Sequence, residues 1–285
     1  MNCRGIQDPI IVDLKDSFQS GNLWNLKYSE LICHDQFRKE VLSGLWDNKI
    51  DSIFHMGACT STTEKDIYKL LDENFLYTVD LARFALKNKT RFIYASSAAT
   101  YGDGSLGFSD DEQKMESLHP LNFYGWSKQY FDIWAKRQGL LEGIAGLKYF
   151  NVYGPNEYHK GDMRSFVIKA YEQIKETGKV RLFKSYRKEY KDGGQKRDFI
   201  YLKDAVDMTL FFYDNKKING IFNIGTGTAH TWNELVGAVF GALERDPVIE
   251  YIDMPLELRE QYQYFTRADM DKIKKSGYNL SLIHI

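Results

Sequence analysis

Apolar positions along the 285-residue chain follow two different periods. Runs rich in Ile, Val, Phe and Tyr at 9–13, 52–58, 91–95, 147–153, 180–183, 197–204, 221–224 and 248–252 read as buried strands. Between them apolar residues recur every three or four positions. That spacing predicts helices starting near Thr62 and covering 75–86, 124–135, 163–177, 205–213, 232–243 and 268–275. Thr231 and Glu234 have capping-box spacing, which gives the helix from 232 a defined start. Alternating strands and helices argue for a parallel sheet covered by helices. After Pro155 the pattern changes: 156–162 is polar and charged, and 184–196 is a charged, glycine-bearing loop.

These elements predict an α/β protein. Residues 1–155 form a Rossmann-like, doubly wound parallel sheet, to which the chain returns at 197–218. Residues 156–196 and 219–285 form a smaller α/β substrate-binding domain. A doubly wound fold opens with a strand, a glycine-rich turn and a helix, whose N–H groups hold a pyrophosphate. Only eight residues precede Pro9, so this first βα unit is expected to be missing. Gly102, Gly104 and Gly107 match G-x-G-x-x-G literally, but Asp110, Asp111 and Glu112 follow and no apolar helix opens. That stretch reads as a surface loop. Gly225 and Gly227 lack a third glycine and read as a turn. Residues 280–285 follow a helix exit with no partner, and both ends read as those of a fragment of a longer protein.

Charge is balanced, with 38 basic and 39 acidic residues and a net charge of −1. No bulk attraction to nucleic acid or to an anionic membrane is expected. No apolar run approaches the ~20 residues of a membrane span. Cys3, Cys33 and Cys59 are far apart, which fits a reducing compartment better than a disulfide framework. The histidines show no H-x-x-x-H pairing, and no metal is predicted.

Candidate chemistry centres on Tyr124 and Lys128, four apart on one helix face. A phenol is a poor base at neutral pH, but a neighbouring ammonium favours its ionised form. Tyr124 then trades a proton with a substrate hydroxyl. Ser97 closes the strand from 91 and is placed to bond the same oxygen, although turn chemistry alone also accounts for it. Asp13 ends its strand where an acid can hold a ribose. Gly57 and Ala58 end theirs with small side chains that let a flat ligand approach.

Taken together, residues 54–58, Asn74, Ser96-Ser97, Tyr101-Gly102, Tyr124 with Lys128, 151–155 and 197–201 resemble the extended short-chain dehydrogenase/reductase family. Residues 57–64, 94–102, 149–161 and 262–266 resemble its branch that acts on an ADP-linked heptose. The resemblance implies epimerisation of ADP-D-glycero-β-D-manno-heptose to the L-glycero form through a transient ketone, feeding the inner core of lipopolysaccharide. It implies NADP as cofactor, with NAD the alternative, and a homo-oligomer in the bacterial cytoplasm. Asp13 suits a free ribose diol, whereas Lys15 suits a 2′-phosphate.

The residue roles carried by the resemblance are as follows. Tyr124, Ser97, Lys128 and Lys160 are catalytic, with Lys160 the second proton donor. Asp13, Met56, Gly57, Ala58, Cys59, Thr60, Asn74, Lys128, Val152 and Lys160 line the cofactor. Ser97, Asn151, Asp162, Lys169, Phe183, Lys184, Ser185, Arg197 and Tyr262 face the substrate. Arg197 suits a pyrophosphate because its fork binds oxyanions bidentately. Leu14, Glu73 and Asp162 depart from the family pattern, as do the extra charges after Phe183. A 4,6-dehydratase needs an acid pair where Ala98 and Ala99 stand. A 4-epimerase or reductase of the same family stays open, as does a non-catalytic chain without a phosphate loop.

Overall fold

The computed structural model describes residues 1–19, 21–259 and 262–279. Strand β1 (Ile10–Asp13) pairs in parallel with β2 (Glu30–Cys33), which runs directly into α1 (His34–Ser43). Strand β3 (Ser52–His55) is followed by α2 (Ile67–Leu70), a π-helical turn (Leu71–Leu76) and α3 (Tyr77–Asn88). Then come β4 (Arg91–Ser97), α4 (Phe123–Arg137) and β5 (Ile144–Tyr149). Beyond Phe150 lie β6 (Asn151–Tyr153), α5 (Phe166–Thr177) and β7 (Val180–Phe183). Short strands β8 (Lys196–Arg197) and β9 (Phe199–Tyr201) lead to α6 (Leu202–Asp214) and β10 (Gly220–Ile224). The chain continues through β11 (His230–Thr231), α7 (Trp232–Ala242), β12 (Ile249–Ile252), α8 (Leu256–Arg259) and α9 (Asp271–Lys275).

Strands β10, β5, β4 and β3 form a parallel sheet in that order. Every residue of β10 is buried, as are most of β4 and β5, as expected of parallel strands covered on both faces. Phe37, Val41, Tyr77, Ala82, Phe131 and Ala135, from α1, α3 and α4, pack against Phe92, Tyr94 and Ile144. Ala205, Met208 and Phe212 of α6 pack with Ile93, Leu147 and Phe222. A third cluster joins α5, β7 and α7 through Ala170, Ile174, Leu182, Val236 and Phe240. Helices thus cover both faces of the sheet, and the α/β class read from the sequence holds.

Several boundaries differ from the sequence reading. The β2–α1 unit falls in 14–51, where no element is predicted. The run 147–153 breaks at Phe150, because β6 leaves β5 to pair with β9. The run 197–204 breaks at Asp198, whose buried carboxylate accepts from Thr226, Gly227 and Ala268 N–H groups at 2.8–2.9 Å. Helix α5 starts at Phe166 rather than 163, and α9 at Asp271 rather than 268. Gly102, Gly104 and Gly107 all have positive φ in turns, so the literal glycine motif is a loop. Residues 280–285, read as an unpartnered tail, lie outside the described residues. No described helix is long and apolar enough to cross a membrane.

Candidate active site

Helix α4 begins where Asn122 Oδ1 accepts the Gly125 N–H at 2.8 Å. This sets Tyr124 in the first turn, beside the carboxyl end of β4. Gly125 permits the close approach: a Cβ there would lie 2.9 Å from Ala99 O and 2.8 Å from Pro120 Cβ. The Ser97 hydroxyl lies beside the Tyr124 phenol. Burial pushes that phenol above its ordinary pKa, the Ser97 bond pulls it down, and Cys59 adds to the rise. The spacing predicts a phenol lowered by Lys128; Lys128 is not among the groups that shift it, and burial raises the phenol instead, so Tyr124 keeps its proton at neutral pH. Lys128 is itself buried, which brings its ammonium down to about 8 against the pull of Asp132 and Cys59. Burial and the charge of Lys128 hold His55 neutral, with a pKa of about 3.

The π-helical turn aims Asn74 inward, and its side chain is matched by protein groups. Nδ2 donates to Cys59 O and Ser127 Oγ, both at 2.9 Å, and Oδ1 accepts Cys59 N–H at 2.8 Å. Asn74 therefore clamps the turn after β3 to α4. In that turn, a Cβ placed on Gly57 would meet nothing within 4 Å. Met56 is 40% exposed and its sulfur lies 3.6 Å from the Tyr149 hydroxyl. Ala58 and Cys59 are half-buried and Thr60 is exposed. Asp13 is exposed at the end of β1, with Oδ1 accepting the Leu14 N–H at 2.7 Å. Open space over Gly57, an acid at a strand end and the buried Lys128 ammonium fit a dinucleotide.

A cleft of about 320 Å³ is lined by Ala99 and Asn122, which flank Ser97 and Tyr124, and by Asn151, Arg197, Trp232 and Tyr262 opposite. Thr62, Thr63, Leu121 and Leu258 carry it into a groove of about 590 Å³ that Trp126 and Pro255 also line. The Arg197 guanidinium lies 5.7 Å from the Trp232 ring centre and 5.1 Å from that of Tyr262. Trp232 Nε1 donates to the Tyr262 hydroxyl at 2.8 Å and locks the two rings together. Arg197 is only 7% exposed, and burial lowers its pKa. Among the described residues no carboxylate pairs with it; it donates to Lys196 O at 2.9 Å. A buried guanidinium left without a counter-ion and facing a cleft suits an anionic ligand.

A family model for NAD dependent epimerase/dehydratase proteins matches residues 10–225. The chain belongs to this NAD dependent epimerase/dehydratase family. It is 55% identical over 280 residues to the ADP-L-glycero-D-manno-heptose-6-epimerase of Nitratidesulfovibrio vulgaris strain DP4, covering 97% of this chain and 86% of the relative. It is 44% identical to the Fusobacterium nucleatum protein of the same name, covering 98% of this chain and 87% of that one. The crystal structure of Helicobacter pylori ADP-L-glycero-D-manno-heptose-6-epimerase superposes with a TM-score of 0.74 at 26% identity, over 93% of this chain and 80% of that one.

Not every candidate of this family member gathers at the cleft. Lys160 is exposed on the turn Tyr158–Met163 and is not among the residues lining the cleft beside Tyr124. Asp162, on the same turn, is exposed, and its carbonyl accepts from Lys169 Nζ. Phe183 meets Tyr262 edge to face at 6.4 Å and so adjoins the Arg197 side. Lys184 pairs with Asp253 at 3.4 Å, and the Ser185 N–H donates to Asp192 Oδ1 at 2.7 Å. Val152 is held in register with Ile200 between β6 and β9.

The sequence reading missed Trp232, Asn122 and Gln263. Gln263 donates to Gly102 O at 2.6 Å and joins the far segment to the end of β4. Trp232 carried a signal because it opens the helix that Thr231 caps, and Gln263 because it falls within the stretch 262–266. Cys33, His34 and Asp35 cluster as candidate metal ligands. His34 turns Nδ1 toward Cys33 and Nε2 toward Asp35.

Proposed function

We propose that the protein inverts C6 of ADP-D-glycero-β-D-manno-heptose to give the L-glycero epimer, passing through a ketone, in the synthesis of the lipopolysaccharide inner core. The observation that carries this reading is the single cleft that joins the surroundings of Ser97 and Tyr124 to the unpaired Arg197. NADP is the proposed cofactor; when bound, a nicotinamide supplies the two-electron oxidation and re-reduction of the sugar carbon. Asp13, Gly57, Ala58, Lys128 and Val152 would hold it. Met56, Cys59 and Thr60 shape its edge, and Asn74 fixes the turn they occupy.

Ser97 orients the carbinol oxygen and Tyr124 exchanges its proton. Because burial keeps the phenol protonated, Tyr124 serves directly as donor when the ketone is reduced. As base it must first ionise, so oxidation speeds up as pH rises. Inversion requires the ketone to be presented by its other face while the rest of the substrate stays bound. Arg197 provides the fixed point by gripping the pyrophosphate between Trp232 and Tyr262. Phe183, Ser185, Lys184, Asn151, Asp162 and Lys169 would then surround the sugar. Lys160 serves the second face, once the turn Tyr158–Met163 moves inward. The division into cofactor and substrate domains, the homo-oligomer and the bacterial cytoplasm belong to the same proposal.

The test offers ADP-D-glycero-β-D-manno-heptose and UDP-galactose separately, with NADP, and resolves the products. The L-glycero epimer is expected from the first alone. Turnover of UDP-galactose alone would remove the heptose assignment.

A further inference from the structure

The turn Tyr158–Met163, which carries Lys160, is closed at its base by one buried side chain. Glu157 is 7% exposed and reaches both ends of the turn. Its Oε1 accepts the Gly154 N–H at 3.1 Å on the entering side, and its Oε2 accepts the Ser165 N–H at 2.6 Å on the leaving side. Its own carbonyl accepts the Lys160 N–H at 3.0 Å. No cation pairs with this carboxylate among the described residues; the amino end of α5, directly after Ser165, supplies a favourable field instead. Gly154 follows β6, whose first residue, Asn151, lines the cleft beside Tyr124. One carboxylate thus ties the turn to the wall of that cleft. The other cations next to the turn are occupied. Arg164 Nε donates to Gly161 O at 2.9 Å, its Nη1 pairs with Glu172 at 2.6 Å, and Lys169 Nζ donates to Asp162 O. Lys160 is exposed, and its ammonium makes no hydrogen bond or ion pair among the described residues.

We propose that Glu157 is a positioning residue for Lys160. It fixes both ends of the turn against the end of β6, so that the turn swings as a unit and delivers the Lys160 ammonium to the second face of the ketone. Loss of either bond opens the turn at its base and spreads the ammonium over many positions, few of them productive. This role rests on the reading of Lys160 given above; the two bonds at the base of the turn do not.

Two substitutions test it. Glu157→Gln keeps the size and one acceptor oxygen but turns an amide NH2 toward one of the two donors. Ser165→Pro removes the closer donor and suits the backbone, because Ser165 has φ −58° and Arg164 is extended. Should Glu157→Gln not fold, Ser165→Pro carries the same test. Each is expected to lower kcat by about 10–100-fold, with KM and NADP binding changed by less than about twofold. Amide exchange at 158–164 is expected to quicken by at least about tenfold, with 92–97 unchanged. Each substitution is also made in a Lys160→Met protein. Neither is expected to lower its residual rate further, because a residue acting only through Lys160 has nothing left to place. Losses that multiply with that of Lys160→Met, wild-type kcat in either variant, or unchanged exchange at 158–164 overturn the proposal and leave the heptose reading standing. A Lys160→Met protein at full rate removes the second-donor reading, and this role with it. No L-glycero product from the unsubstituted protein removes the heptose reading and the role together.

Discussion

Two clusters of buried polar groups flank helix α4, and they are partnered very differently. Toward the carboxyl end Asp132 accepts from the Tyr94 hydroxyl at 2.8 Å, from Ser96 Oγ at 2.7 Å and from Lys148 Nζ at 2.7 Å. Lys148 also donates to Thr100 Oγ1 at 2.7 Å. Both charges are almost fully buried, and every strong group in the cluster is matched by another. This cluster ties α4 to β4 and β5. Toward the start of the helix, on the same face, Tyr124 sits beside Ser97, and Lys128 makes no close ion pair but feels the charge of Asp132 one turn on; across the cleft, Arg197 is buried without a carboxylate partner among the described residues. Burying an unpaired charge costs stability. The first cluster holds the helix in place, whereas Arg197 has no counter-ion among the described residues.

The largest effect that sharpens this contrast is on turnover. Tyr124→Phe should lower epimerisation by roughly 10²–10⁴-fold, the usual scale of a lost acid–base group, with the thermal midpoint unchanged. A Tyr124→Phe protein at wild-type rate would place the chemistry elsewhere. Lys148→Met should do the opposite to stability: leaving Asp132 buried and unmatched costs ~3–5 kcal/mol, read by urea unfolding. Wild-type stability in that variant would erase the distinction between the clusters. Arg197→Lys keeps the charge but loses the flat fork, and should raise KM by about 10–100-fold with a smaller change in kcat. An equal loss in both parameters would mean that Arg197 does not act chiefly as an anchor.

The smallest expected effect, per pH unit, comes from His55. Its folded pKa of about 3 lies below the ordinary histidine value, so between about pH 6.5 and pH 3 the unfolded chain binds a proton that the folded chain refuses. Stability should therefore fall on acidification through that window, by at most ~1.4 kcal/mol per pH unit. His55→Asn should flatten this limb; an unchanged slope would assign it to other groups.

The strongly periodic parts of the fold were legible in the sequence. Strands β4 and β10 are mostly apolar runs, and α6 and α7 bury apolar residues at helical spacing, so short-range pattern suffices. The β2–α1 unit was not legible. Strand β2 is four residues with Glu30 at its head, and α1 buries only Phe37 and Val41. The breaks at Phe150 and Asp198 depend on partners far along the chain, which no local pattern records. The placement of Ser97 at a strand end and of Tyr124 at a helix start was readable from local pattern. The sandwich of Arg197 between Trp232 and Tyr262 joins residues 35 and 30 positions apart, and only the fold brings them together. The direction of the Tyr124 shift was misread for the same reason: the spacing showed the ammonium but not the depth of burial.

The fate of the hydrogen at C6 decides whether inversion passes through a ketone at that carbon. ADP-D-glycero-β-D-manno-heptose deuterated at C6 is incubated with the protein and NADP in ordinary water, and the product is examined by NMR. The account predicts the L-glycero epimer with deuterium kept at C6, because the ketone is reduced at the carbon from which it was formed. Inversion with loss of the deuterium to solvent, or no inversion at all, would contradict it.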